Sequence, residues 1–275
     1  MNNTINILKI IILSLVVAIL MGVLVIFVKD GRKFKFDFKT KPAKLVYDEV
    51  INDEFNKIDI DAKSIDIIFK KSTDEKTNVK VYDIDDKDLS VNVNNNTLTI
   101  ENKKKYNCFI FCVSKKREIV VTLPEKEYDL AINSKSSDII SDINFNNVDI
   151  KVTSGDIEIK DANSAKLDVT SGDVKVEKVN SIDLESRSGD ITLNTINEYL
   201  KIKTTSGDIK IKNLNIIKDS EIKVTSGDVE IDNVLSSVYF DTKVTSGDVK
   251  VGNNDRHANC ELKIKTTSGD IRVNN

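Results

Sequence analysis

The chain has 275 residues, room for one or two domains, and its 31% charged and 40% hydrophobic residues exclude both a disordered chain and a polytopic membrane protein. With 41 basic and 44 acidic side chains the formal net charge is only -3, so no global basic field points to nucleic acid. There is no Trp, and from Ile150 onward the aromatics are Tyr199, Tyr239 and Phe240, so the core must be built from Ile, Val and Leu, which suits a narrow solenoid of stacked rungs.

Ile10 to Val28 is an uncharged run of 19 residues bounded by Lys9 and by Lys29 and Asp30. About 20 apolar residues span a bilayer as a helix. The run is longer than a signal-peptide core and shows neither an A-x-A-like cleavage site nor a lipobox cysteine. Residues 1–29 therefore read as one N-terminal transmembrane helix that anchors the chain in membrane lipid, with a cleaved signal peptide as the alternative. Lys29, Arg32, Lys33, Lys35, Lys39, Lys41 and Lys44 follow it. The positive-inside rule alone would place the body in the cytoplasm, whereas the same lysines could rest on anionic headgroups. The expectation carried forward is a single-pass protein of the cell membrane with an extracytoplasmic body, against that rule. Residues 30–50 read as a basic juxtamembrane linker in which Phe34, Phe36 and Phe38 alternate with Lys and Asp; interfacial anchoring by the three rings is the functional alternative.

Residues 51–127 read as an N-terminal β meander with one degenerate rung. Ile58 and Ile60 alternate with aspartates, and Ser64-Ile65-Asp66 leads into Ile67-Ile68-Phe69. Val79, Val81, Ile84, Val91, Val93, Leu98 and Ile100 continue the strand signal, and Asn94-Asn95-Asn96 predicts a hairpin turn because Asn tolerates left-handed geometry. Three cysteines, Cys108, Cys112 and Cys260, are no disulfide framework. In a strand, positions four apart lie about 13 Å from each other, too far for a bond. A disulfide between Cys108 and Cys112 would therefore need a turn at Phe109-Ile110-Phe111. The other readings are two apolar cysteines in a strand or loop, and a metal site that lacks further ligands nearby.

Residues 128–275 carry a repeat. Ser-Gly-Asp occurs at Gly155-Asp156, Gly172-Asp173, Gly189-Asp190, Gly207-Asp208, Gly227-Asp228, Gly247-Asp248 and Gly269-Asp270, each preceded by Ser and followed by Ile or Val. Seven of the ten glycines sit there, and Ser136-Ser137-Asp138 is a degenerate copy. Period-2 alternation breaks across the tripeptide: Leu167 and Val169 point inward, and so do Val174 and Val176. The break requires a bend or bulge. Gly supplies a backbone free of a Cβ penalty, and Ser and Asp can bond nearby amides. These residues are thus read as structural corners of a single-stacked parallel β-solenoid, with a second corner near Val179 and Leu214 where repeat lengths vary. Outward residues support the stack. One row reads Asp149, Lys166, Asp183, Lys201, Glu221, Asp241, Lys263; another reads Glu158, Lys175, Thr192, Lys210, Glu230, Lys250, Arg272. Most neighbours differ in sign, as a cross-rung charge ladder requires, each pair contributing about 0–1 kcal/mol.

The aligned aspartates invite a calcium reading. Calcium-binding β-rolls, however, use tandem glycines at a nine-residue period, and here one glycine recurs per rung, so turn-closing Asp and Ser is the better account. His257 is the lone histidine, in a loop-like stretch, and no carboxylate pair or phosphate-binding loop is singled out. The expectation is no enzyme, no cofactor and no metal.

The stretch from Phe55 to Phe69, the Ile119-Val-Val-Thr-Leu-Pro124 segment followed by Leu130-Ala-Ile-Asn-Ser, and then the Ser-Gly-Asp corners occur in this order. This pattern resembles a bacterial β-strand-repeat family of adhesin-type domains of unknown function, over roughly residues 50–275. The resemblance implies a β-solenoid, in some members behind a membrane helix and linked to envelope-stress responses, with no active-site residues to carry over. Ile65 and Ser137 at corner positions and the Cys108/Cys112 segment depart from the pattern. The functional expectation is an adhesin-like interaction or scaffold module at the cell envelope with an unknown protein or envelope-surface partner. A cytoplasm-facing regulator of a membrane stress-signalling system is the alternative, and a polysaccharide-active enzyme a third reading. An uncapped last rung after Gly269 would expose a strand edge and allow end-to-end self-association.

Overall fold

A computed structural model describes residues 43–84, 86–102 and 117–274. The apolar run 10–28, most of the linker 30–50, and Cys108 and Cys112 lie outside the described residues. Among the described residues no helix is long and apolar enough to cross a membrane.

The described chain is all-β. Its strands are β1 (Leu45–Ile51), β2 (Lys57–Ala62), β3 (Asp66–Lys71), β4 (Thr77–Tyr82), β5 (Leu89–Asn94), β6 (Thr97–Asn102), β7 (Glu118–Leu123), β8 (Asp129–Ser136) and β9 (Ile139–Ser154). They continue as β10 (Ile157–Ser171), β11 (Val174–Ser188), β12 (Ile191–Ser206), β13 (Ile209–Leu214), β14 (Ser220–Ser226), β15 (Val229–Val234), β16 (Tyr239–Ser246), β17 (Val249–Val251), β18 (Glu261–Ser268) and β19 (Ile271–Val273).

The repeat strands stack in parallel, in register apart from shifts near the second corner, between Ile159 and Asp161 and between Val179 and Ser181. Ile157, Leu167 and Ser171 of β10 lie opposite Val174, Leu184 and Ser188 of β11, which in turn lie opposite Ile191, Ile202 and Ser206 of β12. Inward positions form aliphatic columns: Ile150, Leu167, Leu184, Ile202, Ile222 and Ile264, each 0–1% exposed, make one of them. Along β10 the buried residues are Ile157, Ile159, Ala162, Ala165, Leu167 and Val169. The three-residue steps around Ala162 break the two-residue alternation and mark the second corner, where Val179 and Leu214 are fully buried. The architecture is solenoid-like.

One column is imperfect. Ser186 faces Val169 on one side and Thr204 on the other. Its hydroxyl is buried without a hydrogen-bond partner, whereas the Thr204 hydroxyl donates to the Ser206 carbonyl at 3.2 Å. An unsatisfied buried hydroxyl costs about 1–3 kcal/mol. Ser186→Val, which extends the Val169 side chain by one rung, is expected to raise stability by about 1–2 kcal/mol. A denaturant midpoint at or below wild type would contradict this.

The N-terminal region departs from the meander expected of it. β2 pairs in parallel with both β6 and β8, and β3 with both β7 and β9, so these strands are rungs of the same stack. Among the described residues, antiparallel pairing is confined to β1–β4, β4–β7 and β5–β6. Alternating hydrophobicity specifies a strand face but not the direction of its partner, which is why a meander and a stack look alike in sequence. The β5–β6 hairpin turns on Asn95 and Asn96, at φ 49° and 63°, the left-handed geometry expected of them. β4 and β5 cover the outer edge of the β6–β7 rung, and β1, which takes in the end of the segment read as linker, pairs on β4. Large rings fill this end: Phe69 meets Phe145 edge-on at 5.3 Å, and Phe55 packs 5.7 Å from Tyr128 under the Lys126 ammonium. Burial pushes the Tyr128 phenol up to about 12.

Spatial order differs from chain order at both ends. β2–β3 lies between the later β6–β7 rung and β8–β9. At the other end, β18–β19 inserts between β14–β15 and β16–β17. The rung with Gly269 is therefore interior, and the edge rung is the one with Gly247. That edge is partly capped, contrary to the bare last rung expected. The Asn254 side chain accepts from the Phe240 N–H at 2.8 Å and donates to the Phe240 carbonyl at 3.0 Å, as a neighbouring strand would.

Candidate functional site: the corner ladder and the outward rows

At each Ser-Gly-Asp corner the glycine has φ between 125° and 143°, a region L side chains rarely adopt. At Gly189 a Cβ would also lie 2.0 Å from the Gly172 carbonyl oxygen. The corner is a place where two backbones touch, and the same contact recurs from Gly155 to Gly269.

The aspartates form a second chain of contacts. The Oδ1 of each accepts the backbone N–H of the aspartate in the next rung. Asp156 accepts from Asp173 at 2.8 Å, Asp173 from Asp190 at 2.8 Å, Asp190 from Asp208 at 2.9 Å and Asp208 from Asp228 at 2.8 Å. The series ends with Asp228 accepting from Asp270 at 2.8 Å and Asp270 from Asp248 at 3.0 Å. It begins at the degenerate corners, where Asp66 accepts from Asp138 at 3.2 Å and Asp138 from Asp156 at 3.0 Å. Ile65 and Ser137 thus replace the glycine while the aspartate keeps its place. A shallow groove of about 280 Å³ runs beside Asp190, Asp208, Asp228 and Asp270. Their Oδ1 atoms are already taken by backbone, and among the described residues no group of three or more His, Cys, Asp or Glu is arranged to hold a metal ion.

The second corner has its own ladder, which sequence reading missed. Asn163 donates to Asn146 at 3.4 Å, Asn180 to Asn163 at 2.9 Å and Asn197 to Asn180 at 3.0 Å. Asp129 closes its end by accepting from Asn146 at 3.0 Å and from the Asn147 side chain at 2.8 Å. The signal was an Asn recurring 17 residues apart at 146, 163, 180 and 197.

The first outward charge row follows spatial order, whereas in the second Arg272 faces Lys250. With β18 inserted, the first row becomes Asp149, Lys166, Asp183, Lys201, Glu221, Lys263, Asp241, an unbroken alternation of sign. Chain order would have set Glu221 against Asp241. Cross-rung ion pairs include Lys175–Glu158 at 2.6 Å, Lys210–Glu230 at 2.9 Å and Lys201–Asp183 at 3.3 Å.

The remaining candidate groups are scattered. His257 is exposed, its N–H bonded to Asp255. The Cys260 thiol is buried between the Ile216 and Ser237 carbonyls, and burial raises its pKa. Phe240 belongs to the core, so no exposed cluster of Tyr199, Tyr239 and Phe240 forms.

Corner glycines, a stacked aspartate ladder and a parallel all-β body coincide with a match to one domain family over residues 55–275. The chain belongs to the Toastrack DUF4097 family. The Toastrack match takes in both degenerate corners and all seven Ser-Gly-Asp corners, and agrees with the family resemblance read from the order of these segments. No curated protein matches the chain. Solved structures similar to it include a putative adhesin from Bacteroides fragilis, 20% identical, covering 85% of this chain and 99% of that one, with a TM-score of 0.38. A putative adhesin from Parabacteroides distasonis is 15% identical, covering 84% and 98%, with a TM-score of 0.45. A putative lipid binding protein from the same organism is 16% identical, covering 82% and 96%, with a TM-score of 0.47.

Proposed function

We propose that this Toastrack protein is a non-enzymatic interaction or scaffold module, held at the cell membrane by the apolar run 10–28, with its rungs outside the cytoplasm. One observation carries the reading: the repeated Ser-Gly-Asp residues are consumed in building corners, Gly by backbone contact and Asp by the next rung's N–H. What remains repetitive and accessible is the set of outward rows. Such rows present charged and hydroxyl side chains at about 4.8 Å intervals, a geometry suited to an extended partner rather than to a converging catalytic centre.

The second reading places the same module in the cytoplasm as a regulatory partner of a membrane stress-signalling system. The lysines and arginine from Lys29 to Lys44 favour it. Protease treatment of intact and lysed cells separates the two. Under the first reading the rungs are cleaved or released in intact cells. Survival in intact cells with loss only after lysis would overturn the outside placement and favour the second.

A further inference from the structure

One outward row carries a run of four like charges on strands whose neighbouring row alternates in sign throughout. Two residues along each strand from Lys201, Glu221, Lys263 and Asp241 lie Lys203, Lys223, Lys265 and Lys243. They are in direct register: Lys203 faces Lys223, Lys223 faces Lys265, and Lys265 faces Lys243. All four are exposed, as are Thr205, Thr225, Thr267 and Thr245 beside them. Together they line an open groove of about 390 Å³. Lys223 has Glu221 at 2.6 Å and Lys203 has Glu185 at 4.0 Å; Lys265 and Lys243 make no ion pair among the described residues.

Like charges directly opposite on neighbouring strands destabilise a sheet, and the adjacent row on the same strands avoids this at every step. Four consecutive lysines in register therefore run against the device that sets this stack's order. The row is one side chain wide and about 14 Å long, three strand spacings. It is bordered by hydroxyls on one side and by a charge-balanced row containing Glu221 and Asp241 on the other. A bilayer surface would call for a broad basic field; a single file suits a single extended chain. No aromatic side chain lines the groove, so there is no platform for stacking bases.

We propose that this groove binds a linear, base-free polyanion whose phosphate groups lie close enough together along the chain to set at least one against each lysine, at about 4.8 Å per rung. The ammonium groups pair with phosphate oxygens and the threonine hydroxyls donate to them. The proposal deepens the interaction-module reading and rests on that part of it alone; it does not need the membrane orientation, so the protease experiment and the one below fail independently.

The test uses the full chain in neutral detergent with inorganic polyphosphate as the probe. Comparison ligands are orthophosphate, a single-stranded oligonucleotide of equal charge, and micelles doped with an anionic lipid. The variant Lys203→Gln/Lys223→Gln/Lys265→Gln/Lys243→Gln is set against a scattered control, Lys135→Gln/Lys151→Gln/Lys160→Gln/Lys212→Gln, which removes the same charge. The expected result is at least a tenfold loss of polyphosphate affinity in the first variant and less than threefold in the second, with orthophosphate weak throughout. The ladder variant is relieved of repulsion, so it should melt no lower than wild type, and weak binding cannot then be ascribed to misfolding. Equal losses in both variants, lower melting of the ladder variant, or oligonucleotide or anionic-lipid binding as tight as polyphosphate would each overturn the proposal.

Discussion

Gly189→Ala should lower stability by about 2–4 kcal/mol, far more than an exposed glycine-to-alanine change ordinarily does. Two costs add. The backbone at φ 125° is strained for any residue with a Cβ. That Cβ would also meet the Gly172 carbonyl oxygen at 2.0 Å and its carbon at 2.6 Å, both backbone atoms that no rotamer change can move away. Relief requires the two rungs to part, which strains the Asp190 N–H bond to Asp173 at 2.8 Å. Gly252→Ala is the control, because Gly252 is exposed and outside the positive-φ set; it should shift stability by less than about 0.5 kcal/mol. Chemical denaturation of both variants decides the matter, and equal midpoints would refute the corner-contact account. In a quasi-one-dimensional stack the damage should be local, so hydrogen exchange should accelerate around β10 to β12 first.

Removing residues 261–275 should unravel two rungs rather than one. The deleted segment holds β18 and β19, which lie between β14–β15 and β16–β17. It carries Leu262, Ile264, Ile271 and Val273, all at most 1% exposed, each contributing about 1.5–3 kcal/mol of burial. Without it β16 and β17 have no parallel neighbour, and Val238 and Phe240, buried in the intact protein, lose part of their cover. The expected outcome is loss of hydrogen-exchange protection across 239–251 as a block, with weakened protection across 220–234 and an unchanged pattern before residue 200. Direct docking of β16 onto β14 would instead set Asp241 against Glu221. Retained protection across 239–251 in the shortened chain would show that the charge row does not enforce the observed order.

How much of this was legible in the sequence depends on what each residue reports. The Ser-Gly-Asp corners were legible because only glycine fits a position with positive φ and a backbone contact at 2.0 Å, and so it recurs. Ile65 was legible as a degenerate corner because Asp66 stays to accept the Asp138 N–H. Stack order was not read. Alternation along β2, β6, β16 or β18 fixes which face is buried but not which rung lies next to which. A trace of the answer was nevertheless present: the charge row read in chain order fails at Glu221 followed by Asp241, and inserting Lys263 restores it. The cap from Asn254 to Phe240 had no signal, since it depends on a loop folding back over an edge. The lysine row was visible as sequence yet unremarkable until register placed Lys203, Lys223, Lys265 and Lys243 side by side.

The two out-of-order rungs act as clasps. At each end a segment out of chain order is held inside the stack, so the inserted β2–β3 and β18–β19 rungs cannot leave until the outermost rung has opened. Between the clasps, from β9 to β12, each rung repeats the last with the same corner contact and the same aspartate bond. A further copy of 157–173 spliced in there would meet matching partners on both sides and lengthen the stack by about 4.8 Å. Length in this protein is thus an adjustable dimension set by counting rungs, while the closures at the two ends of the stack stay untouched.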